Sequence, residues 1–214
     1  MEIREEKISE YRETEQVVRE AFWNVYAPGC SEHYLVHRMR QCPGFVPALD
    51  LVAVEKGKIV GHVANVESYI AGDDGNRYQV LSLGPIAVLP QHQRAGVGSQ
   101  LIAQVKRRGK QLGYRAILLC GDPAYYTKQG FEAAEMYRIR NGENQFADAL
   151  LVCSLYEGAL EQMAGIYYED SIYQVDPAAV KEFDRQFPPK TPVSGTPSQR
   201  RFLEMAARCK PFTP

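Results

Sequence analysis

The chain has 214 residues, 45% of them apolar and 24% charged, within the range of soluble globular proteins and long enough for one domain plus an appendage or for two small domains. Its 25 basic and 26 acidic residues leave a net charge of −1, which excludes the electrostatic footprint of a nucleic-acid binder or of a protein drawn to an anionic membrane. No run approaches the roughly 18 apolar residues of a membrane span, the charged start Met1–Glu6 lacks a signal-peptide core, and five cysteines with no Cys-x-x-Cys pair suit a reducing cytoplasm.

Glu2 to Lys7 reads as a first strand. Ser9 is placed to cap the helix that follows, whose buried stripe is Val17, Val18, Ala21 and Phe22, and Tyr26-Ala27-Pro28-Gly29 breaks it. Ser31 opens a second helix that runs to about Gln41, before Pro43-Gly44. This helix carries Cys30, His33, His37 and Cys42, but their spacing matches no common zinc finger, and the expectation is no metal. An antiparallel meander follows: Leu49–Glu55, the turn Lys56-Gly57, Lys58–Ile70, the turn-rich Gly72–Asn76, and Arg77–Leu89. Pro85 cannot donate to a ladder and Gly84 loosens the chain beside it, so a bulge is expected there.

Ile86–Leu89 then ends at Pro90, and from Val97 onward the apolar residues Val97, Leu101, Ile102, Val105 and Leu112 recur at helical spacing. Gly96 and Gly98 therefore stand at a helix start, where unpaired N–H groups and the helix dipole favour a phosphate. The turn lacks the Gly-Lys-Ser/Thr of a nucleotide P-loop, and Leu101 stands where a dinucleotide fingerprint wants its third glycine. What remains, Gln93-Arg94-Ala95-Gly96-Val97-Gly98 directly after Ile86-Ala87-Val88, resembles the pyrophosphate-binding motif of the GNAT superfamily of acyl-CoA-dependent N-acetyltransferases.

The resemblance implies the GNAT fold, an α+β arrangement of a mixed, mostly antiparallel twisted sheet flanked by helices. It also implies acetyl-CoA as co-substrate, held by the backbone of Ile86, Ala87 and Val88 and by Gln93 through Ser99. In this family the bulge groups at the positions of Ile86 and Val88 bond the pantetheine arm and the acetyl carbonyl, a donor aimed where thioester charge develops. Further on, Tyr126-Thr127-Lys128-Gln129-Gly130-Phe131 resembles the second GNAT landmark, which puts a tyrosine beside the CoA sulfur; Tyr126 is the implied general acid and Tyr125 its neighbour on the substrate side. Leu119 replaces the asparagine that many members carry about seven residues earlier. Gly121-Asp122-Pro123, with Asp122 as cap, replaces the usual entry to the short helix, a variant that resembles a bacterial branch of predicted acetyltransferases. The first two helices flank the acceptor in this fold, so His33 is a candidate for acceptor binding. The base that deprotonates an acceptor amine is Glu67, or one of His33 and His37 through water.

The resemblance spans residues 1 to 157, and residues 158 to 214 form a C-terminal extension. It holds a helix from Asp176-Pro177 to Phe187 and another opening on the capping box Thr196-Pro197-Ser198-Gln199. Its aromatic residues suit either one side of an acceptor cleft or the contact of a homodimer. Three functions stay open on the sequence: an N-acetyltransferase for a small amine or peptide, a non-catalytic acyl-CoA-binding regulator, and an interaction protein on the same scaffold.

Overall fold

The computed structural model describes residues 1–213. β1 (Glu2–Glu5) leads into α1 (Tyr11–Phe22) and α2 (Glu32–Met39), followed by the meander β2 (Leu51–Glu55), β3 (Lys58–Gly72) and β4 (Arg77–Val88). Then come α3 (Val97–Gln111), β5 (Ala116–Cys120), α4 (Pro123–Tyr126), β6 (Glu132–Ala133), β7 (Ile139–Arg140), β8 (Gln145–Ala147) and β9 (Leu150–Ser154). The chain finishes with β10 (Gly165–Tyr168), α5 (Pro177–Asp184), α6 (Pro197–Ala206) and β11 (Cys209–Pro211). Pairing is mostly antiparallel; β4 with β5 and β10 with β7 run parallel. The expected fold class is what the chain adopts. Among the described residues no helix is long and apolar enough to cross a membrane.

Local signals place most elements, with one correction. Ser9 does not cap α1. It lies inside a 3-10 turn, Ile8–Glu10, because Glu10 reaches back to the Lys7 N–H (3.0 Å) and is gripped by Arg4 (2.6 and 2.8 Å). The reciprocal pattern expected at Thr196 is present, with Gln199 N–H donating to Thr196 Oγ1 (3.2 Å) and Thr196 N–H to Gln199 Oε1 (3.3 Å).

The chain forms two compact units that interleave along the sequence. The first comprises Met1–Asn65, Gly84–Val105 and Ser171–Phe202. Here the strand order is β1-β2-β3-β4. Val17 of α1 packs on Val52 and Ile59, while Val18 meets Val36 of α2 and Ala87 of β4. The segment 171–202 lies on α1 and α2 of its own chain. Arg19, with no exposed side-chain surface, donates to Asp184 at the end of α5 (2.6 and 3.1 Å), Lys190 pairs with Glu20 (2.7 Å), and Gln199 donates to the carbonyls of Asn24 and Val193.

Beneath α1 and α2 runs a buried polar chain. His37 meets Glu15 (3.0 Å), Arg40 bridges Glu15 and Glu6, and Glu6 is hydrogen-bonded to Asp50, whose Oδ1 lies 2.7 Å from His62 Nε2. Burial, then the bond to Asp50, pushes the Glu6 carboxyl up to about 7; burial holds His62 down at about 4. Glu6 thus binds its proton more tightly folded than unfolded, and its contribution to stability, complete below its ordinary value of 4.5, is lost as pH rises to about 7. His62 does the reverse, with a contribution complete above 6.5 and lost as pH falls to about 4. The two oppose each other over one window. Relative to the native chain in urea melts, His62→Gln should therefore lose about 1–2 kcal/mol between pH 5 and 7, and Glu6→Gln a similar amount between pH 6.5 and 4.5. Parallel pH dependences in both variants would refute this reading of the cluster.

The second unit comprises Val66–Leu83, Lys106–Asp170 and the residues from Leu203 on. Its strands order as β3-β4-β5-β9-β6, with β10 on the far side of β3 and β7 beside β10. Ile70, Val80, Leu118, Val152, Met163 and Tyr167 form its core. β10 pairs Gly165–Tyr168 with Tyr69–Gly72, and β11 pairs with β8.

Candidate active site

In the first unit the structure brings the glycine-bearing turn to the end of β4. Gln93 Nε2 donates to the Val88 carbonyl (3.1 Å), tying the turn to the strand. Arg94 at φ +62° and Gly96 at φ +81° curl the backbone on either side of Ala95, and α3 starts at the next residue, Val97, with Gln100 N–H donating to Gly96 O (3.1 Å). Left-handed residues alternating in this way turn successive N–H groups toward one side, the backbone concavity that cradles anions, and the helix dipole points the same way. Gln93, Arg94, Ala95 and Gly96 are exposed, and Gly98 and Ser99 half-buried, while Val97 is anchored in the core. Anchor and open backbone belong to one short stretch.

At Gly84, where the sequence leads one to expect a bulge, the backbone takes φ +137° before a cis Gly84–Pro85 peptide. The parallel ladder to β5 pairs Leu81 with Ile117 and Ser82 with Leu118, short of this point. Past it Ile86 and Val88 are half-buried and Ala87 buried against α1. Tyr173, from the C-terminal segment, donates to the Gly84 carbonyl (3.0 Å). Its partner lies 89 residues away, so no local pattern marks it.

His33 has no exposed surface. Its ring packs between Phe183 and Phe187, Nδ1 lies 3.3 Å from Cys30 Sγ, and Nε2 lies 3.1 Å from Asp184 Oδ1 without the alignment of a hydrogen bond. Burial holds the imidazole down at about 4, against the pull of Asp184, so it is neutral at pH 7. His37 turns instead to Glu15. Among the described residues the donors that converge as a metal site would need are Glu6, Asp50 and His62, not the Cys30–Cys42 set. Arg40 already holds Glu6 through both oxygens and supplies the positive charge there.

In the second unit Asp122 caps α4, accepting from Ala124 N–H (3.0 Å), with Pro123 as first helical residue. The Tyr126 ring lies over Gly121, where a Cβ would fall 2.3 Å from the ring, so this glycine is what lets the ring sit down. Phe131 N–H donates to the Tyr126 carbonyl (3.1 Å), and the Phe131 ring meets Tyr126 edge-on at 5.7 Å. Tyr125, more exposed, stands edge-on to Tyr126 at 4.9 Å. Glu67, half-buried on β3, accepts a hydrogen bond from Tyr114, whose phenol is pushed up by burial and by that carboxylate. Tyr114 is a partner that sequence reading missed, 47 residues from Glu67.

The curled, glycine-bearing turn before α3 and the tyrosine packed on Phe131 of the Gly-Phe step stand at the two motifs through which the sequence resembles one family. The family model for the acetyltransferase (GNAT) family matches residues 9–131. The chain belongs to the GNAT acetyltransferase family. It is 32% identical over 142 residues to the uncharacterized N-acetyltransferase YhbS of Escherichia coli K12, covering 65% of this chain and 82% of that one. The crystal structure of E. coli YhbS in complex with CoA superposes with a TM-score of 0.71 at 25% identity, over 80% of this chain and 91% of the other. A GNAT family acetyltransferase from Brucella melitensis in complex with acetyl-CoA gives a TM-score of 0.65 at 26% identity, over 81% and 97%. The GNAT fold and the class of enzyme, an N-acetyltransferase, follow from these relationships.

Proposed function

We propose that this GNAT enzyme transfers the acetyl group of acetyl-CoA to a primary amine of a small molecule or peptide, by direct attack with both substrates bound. The observation that carries the reading is the curled backbone of Arg94–Gly96 at the N-terminus of α3, a site suited to the CoA pyrophosphate. The relatives solved with CoA and acetyl-CoA support the same ligand. Gln93 through Ser99 hold the pyrophosphate, and the backbone of Ile86, Ala87 and Val88 holds the pantetheine arm and polarises the thioester carbonyl. No metal is required, and the free state of all five cysteines suits a reducing cytoplasm.

In the proposed step the neutral amine attacks the thioester carbon, and the oxyanion so formed is stabilised by backbone N–H donors of β4. As the C–S bond breaks, Tyr126 gives its phenolic proton to the CoA thiolate, and Glu67 takes the proton the amine nitrogen sheds. Tyr125 and His33 are the residues assigned to the acceptor; His33 is buried, so its part is to position its neighbours rather than to touch the amine. Residues 1–157 carry the chemistry, and 158–214 brace it.

The test is calorimetric titration with acetyl-CoA, followed by a screen of amines for release of the CoA thiol. A folded protein that binds no acetyl-CoA would overturn the proposal. With an active amine in hand, Tyr126→Phe should lower kcat about a hundredfold with acetyl-CoA affinity within about twofold, and Glu67→Gln should flatten the acidic limb of the kcat/KM profile. An unchanged kcat in the first, or an unchanged limb in the second, removes that residue from its role.

A further inference from the structure

The Gly84–Pro85 peptide has one polar group to offer, the Gly84 carbonyl, since proline carries no N–H. Tyr173 takes that carbonyl with its phenol at 3.0 Å. The tyrosine stands on a short 3-10 turn, Ser171–Tyr173, that packs on α2, in the segment that the Arg19–Asp184 pair fastens to α1. The next peptide along, Pro85–Ile86, carries the first N–H that β4 can offer an acyl thioester. The direction of that N–H depends on how the preceding carbonyl is turned. Pro85 has its own φ fixed by the ring, whereas Gly84, at φ +137°, is held by no side chain of its own. An outside hydrogen bond is therefore what selects one orientation of this stretch.

We infer that Tyr173 is a positioning residue for the acyl half of acetyl-CoA: by holding the Gly84 carbonyl it fixes the aim of the Ile86 and Val88 N–H groups at the thioester. The inference rests on the proposed acetyl-CoA site. It gives the C-terminal segment a part in the reaction beyond covering α1 and α2, because the brace reaches the strand that handles the acetyl group and leaves the pyrophosphate turn to its own geometry. The role is specific to the acyl group, which makes it separable from simple stabilisation.

The experiment compares calorimetric affinities for acetyl-CoA and for CoA, which lacks the acetyl group, in the native chain and in Tyr173→Phe, which keeps the ring and loses the hydroxyl. One misaligned donor translates to about a fivefold weaker binding of acetyl-CoA, with CoA affinity changed by less than about twofold. Once an accepting amine is known, kcat should fall more than the KM for the amine rises. Equal loss of affinity for both ligands marks the tyrosine as a structural brace and overturns the inference, as does no change in either. A native chain that binds CoA and acetyl-CoA with Tyr173→Phe unaffected overturns this role alone; a folded native chain that binds neither overturns the acetyl-CoA site and this role with it.

Discussion

Gly96→Glu is expected to weaken acetyl-CoA binding by more than about a hundredfold while leaving the fold intact. Gly96 is exposed, sits at φ +81°, and immediately precedes the first residue of α3, so its side-chain position opens toward the place where helix N–H groups and dipole gather an anion. A carboxylate attached there satisfies those donors from within and repels the incoming pyrophosphate. Each tenfold of affinity corresponds to about 1.4 kcal/mol, and loss of the attraction together with a new like-charge contact readily exceeds twice that. The substitution also forces an L-residue into the left-handed region at a cost of about 1–2 kcal/mol. Gly96→Ala carries that backbone cost without the charge, and a Cβ here meets nothing closer than Gln100 Nε2 at 3.9 Å. The glutamate variant should therefore bind far more weakly than the alanine variant in calorimetry, with similar melting temperatures. Binding by Gly96→Glu within threefold of the native protein would remove the turn from the site.

Asp184→Ala is expected to destabilise the protein by about 3 kcal/mol in urea denaturation, among the largest single effects available in this chain. Arg19 has no exposed side-chain surface. Its guanidinium is held by both Asp184 oxygens and lies over the Trp23 ring at 4.3 Å. Removing the carboxylate leaves a buried cation uncompensated, which costs about 3–5 kcal/mol; the quarter of Asp184 that remains exposed, 26%, places the expectation at the lower end. His33 Nε2, 3.1 Å from the same oxygen, loses its neighbour too. The double variant Arg19→Met, Asp184→Leu should recover much of the loss, because the charge and its partner leave together. A single variant within 0.5 kcal/mol of native would mean that water reaches Arg19. The same variant loosens the segment that carries Tyr173, so acetyl-CoA affinity should fall with it, though less than in Gly96→Glu.

Much of this chain was legible from local chemistry. Asp122 and Asp176 cap their helices with the bonds expected of aspartate before proline, and the Thr196–Gln199 box closes on itself. The turn at Gly96 could be read because a strand, a left-handed glycine and an amphipathic helix in succession admit few backbone paths, and all the information lies within about twenty residues. Ser9 misled because an ion pair to Arg4 and the Lys7 N–H drew Glu10 into the first turn instead. The surroundings of His33 were not legible, because facing an acceptor and facing a docked segment look alike on a helix wheel; only the folded chain brings Phe183, Phe187 and Asp184 against its ring.

What the tertiary structure alone decided are pairings between distant residues: Tyr114 on Glu67, Tyr173 on the Gly84 carbonyl, and Asp184 on Arg19, 165 positions apart. The short strands β10 and β11 belong with them, since four and three residues carry no readable period and become strands only when an edge is offered to them. The sequence by itself determined where α3 begins after its glycine-bearing turn, because a helix start and its donors are made by residues adjacent in the chain. Which side chains hold β4 and Glu67 in place depended on the folded chain, because a hydrogen bond across tens of residues leaves no periodic trace in the sequence that makes it.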